Sequence, residues 1–132
     1  MISEPLELLA PANDDLGDQA RLNARFLADG YLFLRGVLDL DEILRVKRDF
    51  VGALRDQGVV KAGETEPIWS GAGFDQFDDT PLYECDSYGK LLTSPHTIAL
   101  LTTVFGEPAF AHHNPSIRCM LPSDTAHVTP AH

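Results

Sequence analysis

The chain has 132 residues, which is enough for one domain with a single buried core and too few for two. Hydrophobic residues make up 44% and charged residues 23% of the sequence, values typical of folded globular proteins, so a disordered or collagen-like chain is excluded. Twenty acidic residues against ten basic ones give a formal net charge of -10, which repels nucleic-acid phosphates and anionic lipids. We therefore expect neither nucleic acid nor a membrane as a partner.

Residues 1–15 contain prolines and acidic side chains with little periodicity, and we expect a flexible or loosely docked lead-in. Their acidic charge is the wrong sign for a secretory or mitochondrial leader. No apolar run approaches the roughly 20 residues that span a bilayer. The two cysteines, Cys85 and Cys119, form no Cys-x-x-Cys pair, so a zinc ribbon or a disulfide framework is not supported. Together these features predict a cytoplasmic protein with reduced thiols.

A helical pattern begins at Leu16, and the residues of its stripe are three or four positions apart. The stripe consists of Leu16, Ala20, Asn23 and Leu27, with Phe26 beside it. Gly30 is placed to end this helix in the left-handed conformation. The next segment, 31–38, is short and rich in aromatic and aliphatic residues, which favours a mostly buried strand.

A second helix is predicted after Asp39 or Asp41, because either carboxylate can accept hydrogen bonds from the free backbone donors of the first turn. Its buried stripe consists of Ile43, Val46, Phe50 and Leu54, and Gly58 should end it. The basic residues on its other side could bind nucleic acid or form an ordinary solvated face. The acidic net charge favours the solvated face.

Residues 61–89 are rich in glycine, proline and aromatic residues, and we predict a long loop there. Such a loop either lines a functional site or caps one end of the core. Trp69 and Tyr83 are accordingly candidates for a substrate entrance or for core packing.

Ser94 and Pro95 predict a third helix, with serine as the cap and proline in the first turn. Gly106 should end it, and its buried face consists of Ile98, Leu101 and Phe105. After Pro108 the pattern changes to a period of two, which predicts a strand at 109–113, a turn at 114–116 and a second strand from 117 onward. The inward side of that second strand is formed by Ile117, Cys119 and Leu121, and Arg118 faces the other way. We interpret Arg118 as a salt-bridging residue, with a cosubstrate role as the alternative.

Four of the five histidines lie in the last 21 residues: His112, His113, His127 and His132. Imidazole is a good ligand for iron, zinc or copper, and Cys119 could join such a site. Because adjacent strand residues point to opposite faces, His112 and His113 cannot both reach one ion. For either of these two alone, a structural or surface role is the simpler interpretation. His96, in the first turn of a helix, is expected to be exposed.

Several segments, in order, resemble the phytanoyl-CoA dioxygenase family of Fe(II)- and 2-oxoglutarate-dependent oxygenases. Residues 117–122 (IRCMLP) and 129–132 (TPAH) are similar to the segment that leads into the family's metal motif. Residues 26–38 (FLADGYLFLRGVL) resemble its opening helix and strand, and 100–108 (LLTTVFGEP) resemble the helix before its barrel. The resemblance covers roughly residues 20 to 132.

The resemblance implies that His132 is the first metal ligand of a His-x-Asp pair, which with a distant second histidine holds ferrous iron. The aspartate, the second histidine and the basic residue that binds 2-oxoglutarate have no counterpart in these 132 residues. We therefore interpret the chain as an amino-terminal fragment, inactive by itself, to which no catalytic residue is assigned. Its parent would hydroxylate a small organic substrate with O2 while 2-oxoglutarate is decarboxylated to succinate.

The resemblance also implies an α+β fold with N-terminal helices packed on an incomplete double-stranded β-helix, or jelly roll. The predicted divisions are a lead-in at 1–15, a helical part with one core strand and an aromatic-rich loop at 16–107, and truncated jelly-roll strands at 108–132. Two other functions stay open: a non-catalytic acidic module that binds another protein, and a histidine-rich metal-binding protein of another kind.

Overall fold

A computed structural model describes residues 8–64, 66–73, 77–112 and 117. Regular structure in these residues is helical, and begins with a short 3-10 turn at Asn13–Asp15. The five helices that follow are α1 (Gln19–Asp29), α2 (Leu40–Asp56), α3 (Thr80–Tyr83), α4 (Asp86–Thr93) and α5 (Pro95–Phe105). Within the described ranges, no helix combines the length and apolar character needed to cross a bilayer.

The predicted helix boundaries at glycine and at Ser94 are confirmed. Helix α1 is followed by Gly30, whose φ of 76° is left-handed and whose N–H donates to the Phe26 carbonyl. At the start of α5, Ser94 accepts a hydrogen bond from the Thr97 backbone N–H, and Pro95 occupies the first turn. These signals are local, because a cap needs only the side chain and the backbone turn next to it.

The described residues form two compact units. The first contains 8–39 and 94–110, and the second contains 40–64, 66–73, 77–93, 111, 112 and 117. In the first unit α1 packs against α5, and the deeply buried side chains are few. Leu22 is 1% exposed and Asp15 only 2% exposed.

A close approach between α1 and α5 occurs at Gly106. This residue ends α5 with a φ of 73°, and a Cβ atom there would lie 2.8 Å from the Gln19 side chain. The Gln19 amide donates to the Val104 carbonyl at 3.0 Å. Glycine at 106 therefore permits both the helix end and the contact that joins α5 to the first turn of α1.

The second unit is built on α2, which packs against α3 and α4. The rings of Phe50 and Tyr88 meet edge to face with centroids 5.4 Å apart. After α2 the chain turns back, and Val59 and Leu82, each 2% exposed, form the most buried part of this unit. An antiparallel bridge between Val60 and Trp69 closes the turn.

The predicted α+β fold on an incomplete jelly roll is wrong for the described residues. The segment 31–38 is not a strand: Phe33 alone forms an isolated parallel bridge, with Pro11. Proline has no N–H to extend a ladder, and the partner segment turns into the 3-10 helix two residues later. Residues 109–112 also form no strand, and the remainder of the predicted second pair, apart from Ile117, lies outside the described residues.

Two predicted apolar faces also need correction. Leu27 on α1 is 84% exposed and Phe105 on α5 is 65% exposed, whereas Leu22 carries the burial on α1. The predicted loop at 61–89 includes α3 and the first part of α4. Helix α3 has proline in its first turn, a helix-start signal that the glycine-rich surroundings obscured.

Candidate functional site

The predicted metal ligand His132 lies outside the described residues, as do His113, His127 and Cys119. His112 is described and exposed. Among the described residues, no three His, Cys, Asp or Glu side chains come together in a way that could hold a metal ion. The described residues therefore contain no candidate iron site, and the assignment of His132 to iron stays a prediction.

His96 is exposed as expected, but its ring has a structural contact. Its Nε2 lies 2.7 Å from the Val37 carbonyl oxygen, which can only accept, so Nε2 carries the proton and donates it. The contact joins the first turn of α5 to the chain after residue 36 within the first unit. His96 is thus an anchor for the backbone.

Trp69 and Tyr83, the two aromatic candidates for a substrate entrance, both make hydrogen bonds to the backbone. The half-buried Trp69 indole N–H donates to the Ala72 carbonyl at 3.0 Å. The Tyr83 hydroxyl accepts a hydrogen bond from the Ile117 N–H at 2.8 Å. These contacts favour a structural role for both residues.

Cys85 is a free thiol beside α4, and its surroundings make it a poor nucleophile. Burial and the nearby Asp49 carboxylate both raise the pKa of the Cys85 thiol. Its Sγ donates to the Pro81 carbonyl at 3.3 Å. The Asp49 carboxyl itself has a lowered pKa, because the Ser87 side chain and then Arg48 hydrogen-bond to its ionised form.

A shallow groove of about 240 Å³ lies on α2 and is lined by Leu44, Lys47, Arg48, Val51 and Arg55. Its three cationic groups already have partners. Lys47 pairs with Glu66 at 3.1 Å, Arg48 with Asp49 at 3.2 Å, and Arg55 donates to the Glu64 carbonyl at 2.9 Å. This agrees with the predicted solvated face and gives no support to anion binding.

A larger groove, of about 450 Å³, lies in the first unit. It is lined by Leu8, Leu9, Pro11, Phe33 and Arg35, and we call it the Arg35 groove. Its walls are two segments far apart in sequence, 8–13 and 31–35. A volume of this size is within the range of small-molecule sites.

Four hydrogen bonds hold the two walls of the Arg35 groove together. The Ala12 N–H donates to the Phe33 carbonyl at 2.7 Å, and the Ala10 N–H to the Tyr31 hydroxyl at 3.3 Å. The Asn13 side chain binds both backbone groups of Arg35: its Nδ2 donates to the carbonyl at 2.7 Å, and its Oδ1 accepts from the N–H at 3.0 Å. The backbone of the groove is therefore held in place from both sides.

In the same unit, the buried Asp15 carboxylate is held by two arginines of α1. Arg21 Nη2 lies 2.7 Å and Arg25 Nε 2.8 Å from its oxygens. Arg25 also donates from Nη1 to the Pro11 carbonyl at 3.0 Å. The ion-pair cluster thus connects α1 to the wall that contains Pro11.

The Arg35 groove was missed by the sequence predictions, although Arg35 was part of the predicted strand. An arginine between a short apolar run and Gly36, whose φ is 63°, was the available signal. Nothing local to 31–35 indicates that residues 8–13 lie beside it, because that pairing spans more than 20 positions.

The chain is similar to hydroxylases. No family model matches the chain. It is 27% identical over 103 residues to 1-deoxypentalenic acid 11-beta-hydroxylase of Streptomyces arenae. It is 25% identical over 103 residues to the protein of the same name from Streptomyces exfoliatus. Each alignment covers 78% of this chain and 36% of the relative, so the chain spans about a third of the length of these curated relatives.

The similarity supports a distant link to hydroxylases. It does not reach the phytanoyl-CoA dioxygenase family that the sequence motifs resemble, and it does not establish iron or 2-oxoglutarate as cofactors.

Proposed function

We propose that the chain forms the amino-terminal, helical part of an oxygenase that hydroxylates a small organic carboxylic acid. The observation that carries this proposal is the 27% identity, over 103 residues, to a hydroxylase whose named substrate is an acid. The alignment covers 78% of the chain, so the similarity extends over most of its helical part. The motif resemblance points to the same kind of chemistry.

Fe(II) and 2-oxoglutarate are the cofactors we propose for the complete protein, with O2 as the co-reactant. In this overall reaction one oxygen atom enters a C–H bond of the substrate, and the other enters succinate as 2-oxoglutarate loses CO2. His132 is the residue of this sequence that we assign to iron. Because one imidazole is one ligand of three, tight iron binding by these 132 residues alone is not expected.

The test begins with the nucleotide sequence downstream of the His132 codon. We expect it to continue with one residue and then an aspartate, and to encode a second histidine later. The extended protein is then assayed for succinate formation from 2-oxoglutarate, with and without ferrous iron. Turnover that is indifferent to an iron chelator would contradict the proposal.

Two variants of the extended protein separate the metal role from general damage. His132→Ala should reduce succinate formation by about 100-fold or more, because it removes a protein ligand of the metal. His112→Ala is the matched control, because it removes an exposed imidazole from the same region of sequence, and it should stay within about twofold of the parent. Equal losses in both variants would remove His132 from the proposed site.

A further inference from the structure

We propose that the Arg35 groove binds an apolar carboxylic acid, with the hydrocarbon against Leu8, Leu9 and Phe33 and the carboxylate against Arg35. This ligand site goes beyond the proposed function and does not depend on it.

The apolar half of the proposal rests on exposure. Leu8 is 95% and Leu9 53% exposed, and both line the groove together with Pro11 and Phe33. When an apolar ligand covers two neighbouring leucines that are exposed to water, the free energy of the system falls. A hydrocarbon skeleton is the chemistry that such a surface accepts.

The charged half rests on Arg35. Its guanidinium lies 5.2 Å from the centre of the Phe33 ring, a cation–π contact that keeps the charge over the groove. No carboxylate in the described part of the chain pairs with it, although the sequence holds twenty acidic residues. The planar fork of arginine matches a carboxylate with two parallel hydrogen bonds, so an acid complements this site.

The arginines of α1 show the contrast within the same unit. Arg21 and Arg25 are both engaged by Asp15, so their charge is already compensated. Arg35 binds Asn13 through its backbone groups, and among the described residues its side chain has a ring contact with Phe33 but no ion pair.

The fixed backbone strengthens the case for a binding site. The hydrogen bonds of Asn13 and Ala12 fix the backbone at Phe33 and Arg35, so little conformational entropy is lost there when a ligand enters. An acid can form an ion pair with the exposed Arg35 that a neutral ligand cannot form, and an anionic membrane is disfavoured by the net charge of -10. A small apolar acid satisfies both halves of the groove.

The experiment titrates the 132-residue chain with octanoate, octanol and acetate, followed by calorimetry and by the NMR signals of the groove residues. We expect octanoate to bind about tenfold more tightly than octanol or acetate, because it alone offers both a chain and a carboxylate. Its shifts should centre on Leu9, Phe33 and Arg35. Equal affinity for octanol and octanoate, or shifts centred on the exposed Phe105 and Phe110, would overturn the proposal.

Arg35→Gln should weaken octanoate binding by about tenfold while leaving octanol unaffected, because it removes the charge and keeps a polar side chain. Arg45→Gln removes an exposed arginine of α2 outside the groove and should bind octanoate like the parent. Unchanged octanoate affinity in Arg35→Gln would contradict the proposal. If that variant fails to fold, as judged by circular dichroism, the comparison of octanoate with octanol on the parent chain still decides.

This titration needs neither iron nor 2-oxoglutarate, so its failure differs from failure of the proposed function. Octanoate binding without succinate formation by the extended protein would support the ligand site and contradict the proposed hydroxylase function. Succinate formation without octanoate binding would support the hydroxylase function and contradict the ligand site.

Discussion

Different interactions stabilise the inside of each of the two units. In the first unit polar side chains join separate segments: Asp15 binds two arginines, Asn13 binds the backbone of Arg35, and Gln19 binds the Val104 carbonyl. Each of these connects segments that are distant in sequence or joins a loop to a helix. The architecture of this unit depends on a small number of directional bonds.

In the second unit apolar packing has the larger share. Val59, Val60 and Leu82 are each at most 6% exposed, and Phe50 packs edge to face on Tyr88. Its ion pairs, such as Lys47 with Glu66, lie on the surface, where they contribute little.

The two units also differ in how many large apolar side chains they expose to solvent. Among the described residues, the most exposed large apolar side chains are Leu8 at 95%, Leu27 at 84% and Phe110 at 81%, and all three belong to the first unit. A unit fixed by polar bonds can keep its shape while presenting apolar surface, and this is the unit that contains the Arg35 groove.

The strongest challenge to this comparison is Asp15→Ala. The substitution should lower the free energy of unfolding by about 3 kcal/mol, because two charge-assisted hydrogen bonds from Arg21 and Arg25 are lost. Urea unfolding followed by circular dichroism, with hydrogen exchange of the α1 amides, measures the loss. The control is Asp14→Ala, an exposed carboxylate in the same 3-10 turn, which should change stability by less than about 0.5 kcal/mol. Similar losses in the two variants would show that the polar cluster does not hold the first unit.

For the second unit, Leu82→Ala should cost about 2.5 kcal/mol, because it opens a cavity at a side chain that is 2% exposed. The only tryptophan, Trp69, lies in this unit, and its fluorescence reports the transition. Leu40→Ala on α2, where the side chain is 67% exposed, is the matched control, and we expect a change below about 0.5 kcal/mol. A large effect at Leu40 and none at Leu82 would reverse our assignment of the core.

The smallest expected effect is a pH dependence in the second unit. The pKa of the Asp78 carboxyl is lowered, because the Thr80 side chain and then the Thr80 backbone N–H, at 2.9 Å, hydrogen-bond to its ionised form. A pKa lowered on folding stabilises the protein above the unfolded value of about 3.9, and that contribution is lost as pH falls through the folded value. Stability should thus be level above about pH 5 and decline below about pH 4.

Asp78→Asn should reduce this decline, as measured by the urea midpoint of Trp69 fluorescence between about pH 5 and about pH 3. Its neighbour Asp79, which caps α3 by position but makes no side-chain cap bond, provides the control. Asp79→Asn should keep the pH dependence of the parent. A decline of the same steepness in Asp78→Asn would exclude the Thr80 contacts as its source.

Helix starts and ends were predictable because their causes are local. Ser94 with Pro95 and the glycines at 30 and 106 act within one turn of chain. The strand at 31–38 was predicted wrongly for the opposite reason, because a strand exists only with neighbours, and Pro11 interrupts the one segment that pairs with it.

The candidate site was predictable only in part. The motif resemblance singled out His132, which lies outside the described residues and stays a prediction. The Arg35 groove depends on residues 8–13 meeting 31–35, and no periodicity in either segment encodes that meeting. Arg35 itself looked like one residue of a buried run, and only its stacking on Phe33 identifies its charge as available.

Gly106 carries a consequence for how this unit can change in evolution. The same missing side chain lets α5 terminate and lets Gln19 reach the Val104 carbonyl. Replacing Gly106 with any larger residue would disturb both the end of α5 and the Gln19 contact. A second substitution at Gln19 alone could not restore the left-handed turn. A substitution at this position would therefore change the end of α5 and its contact with α1 together.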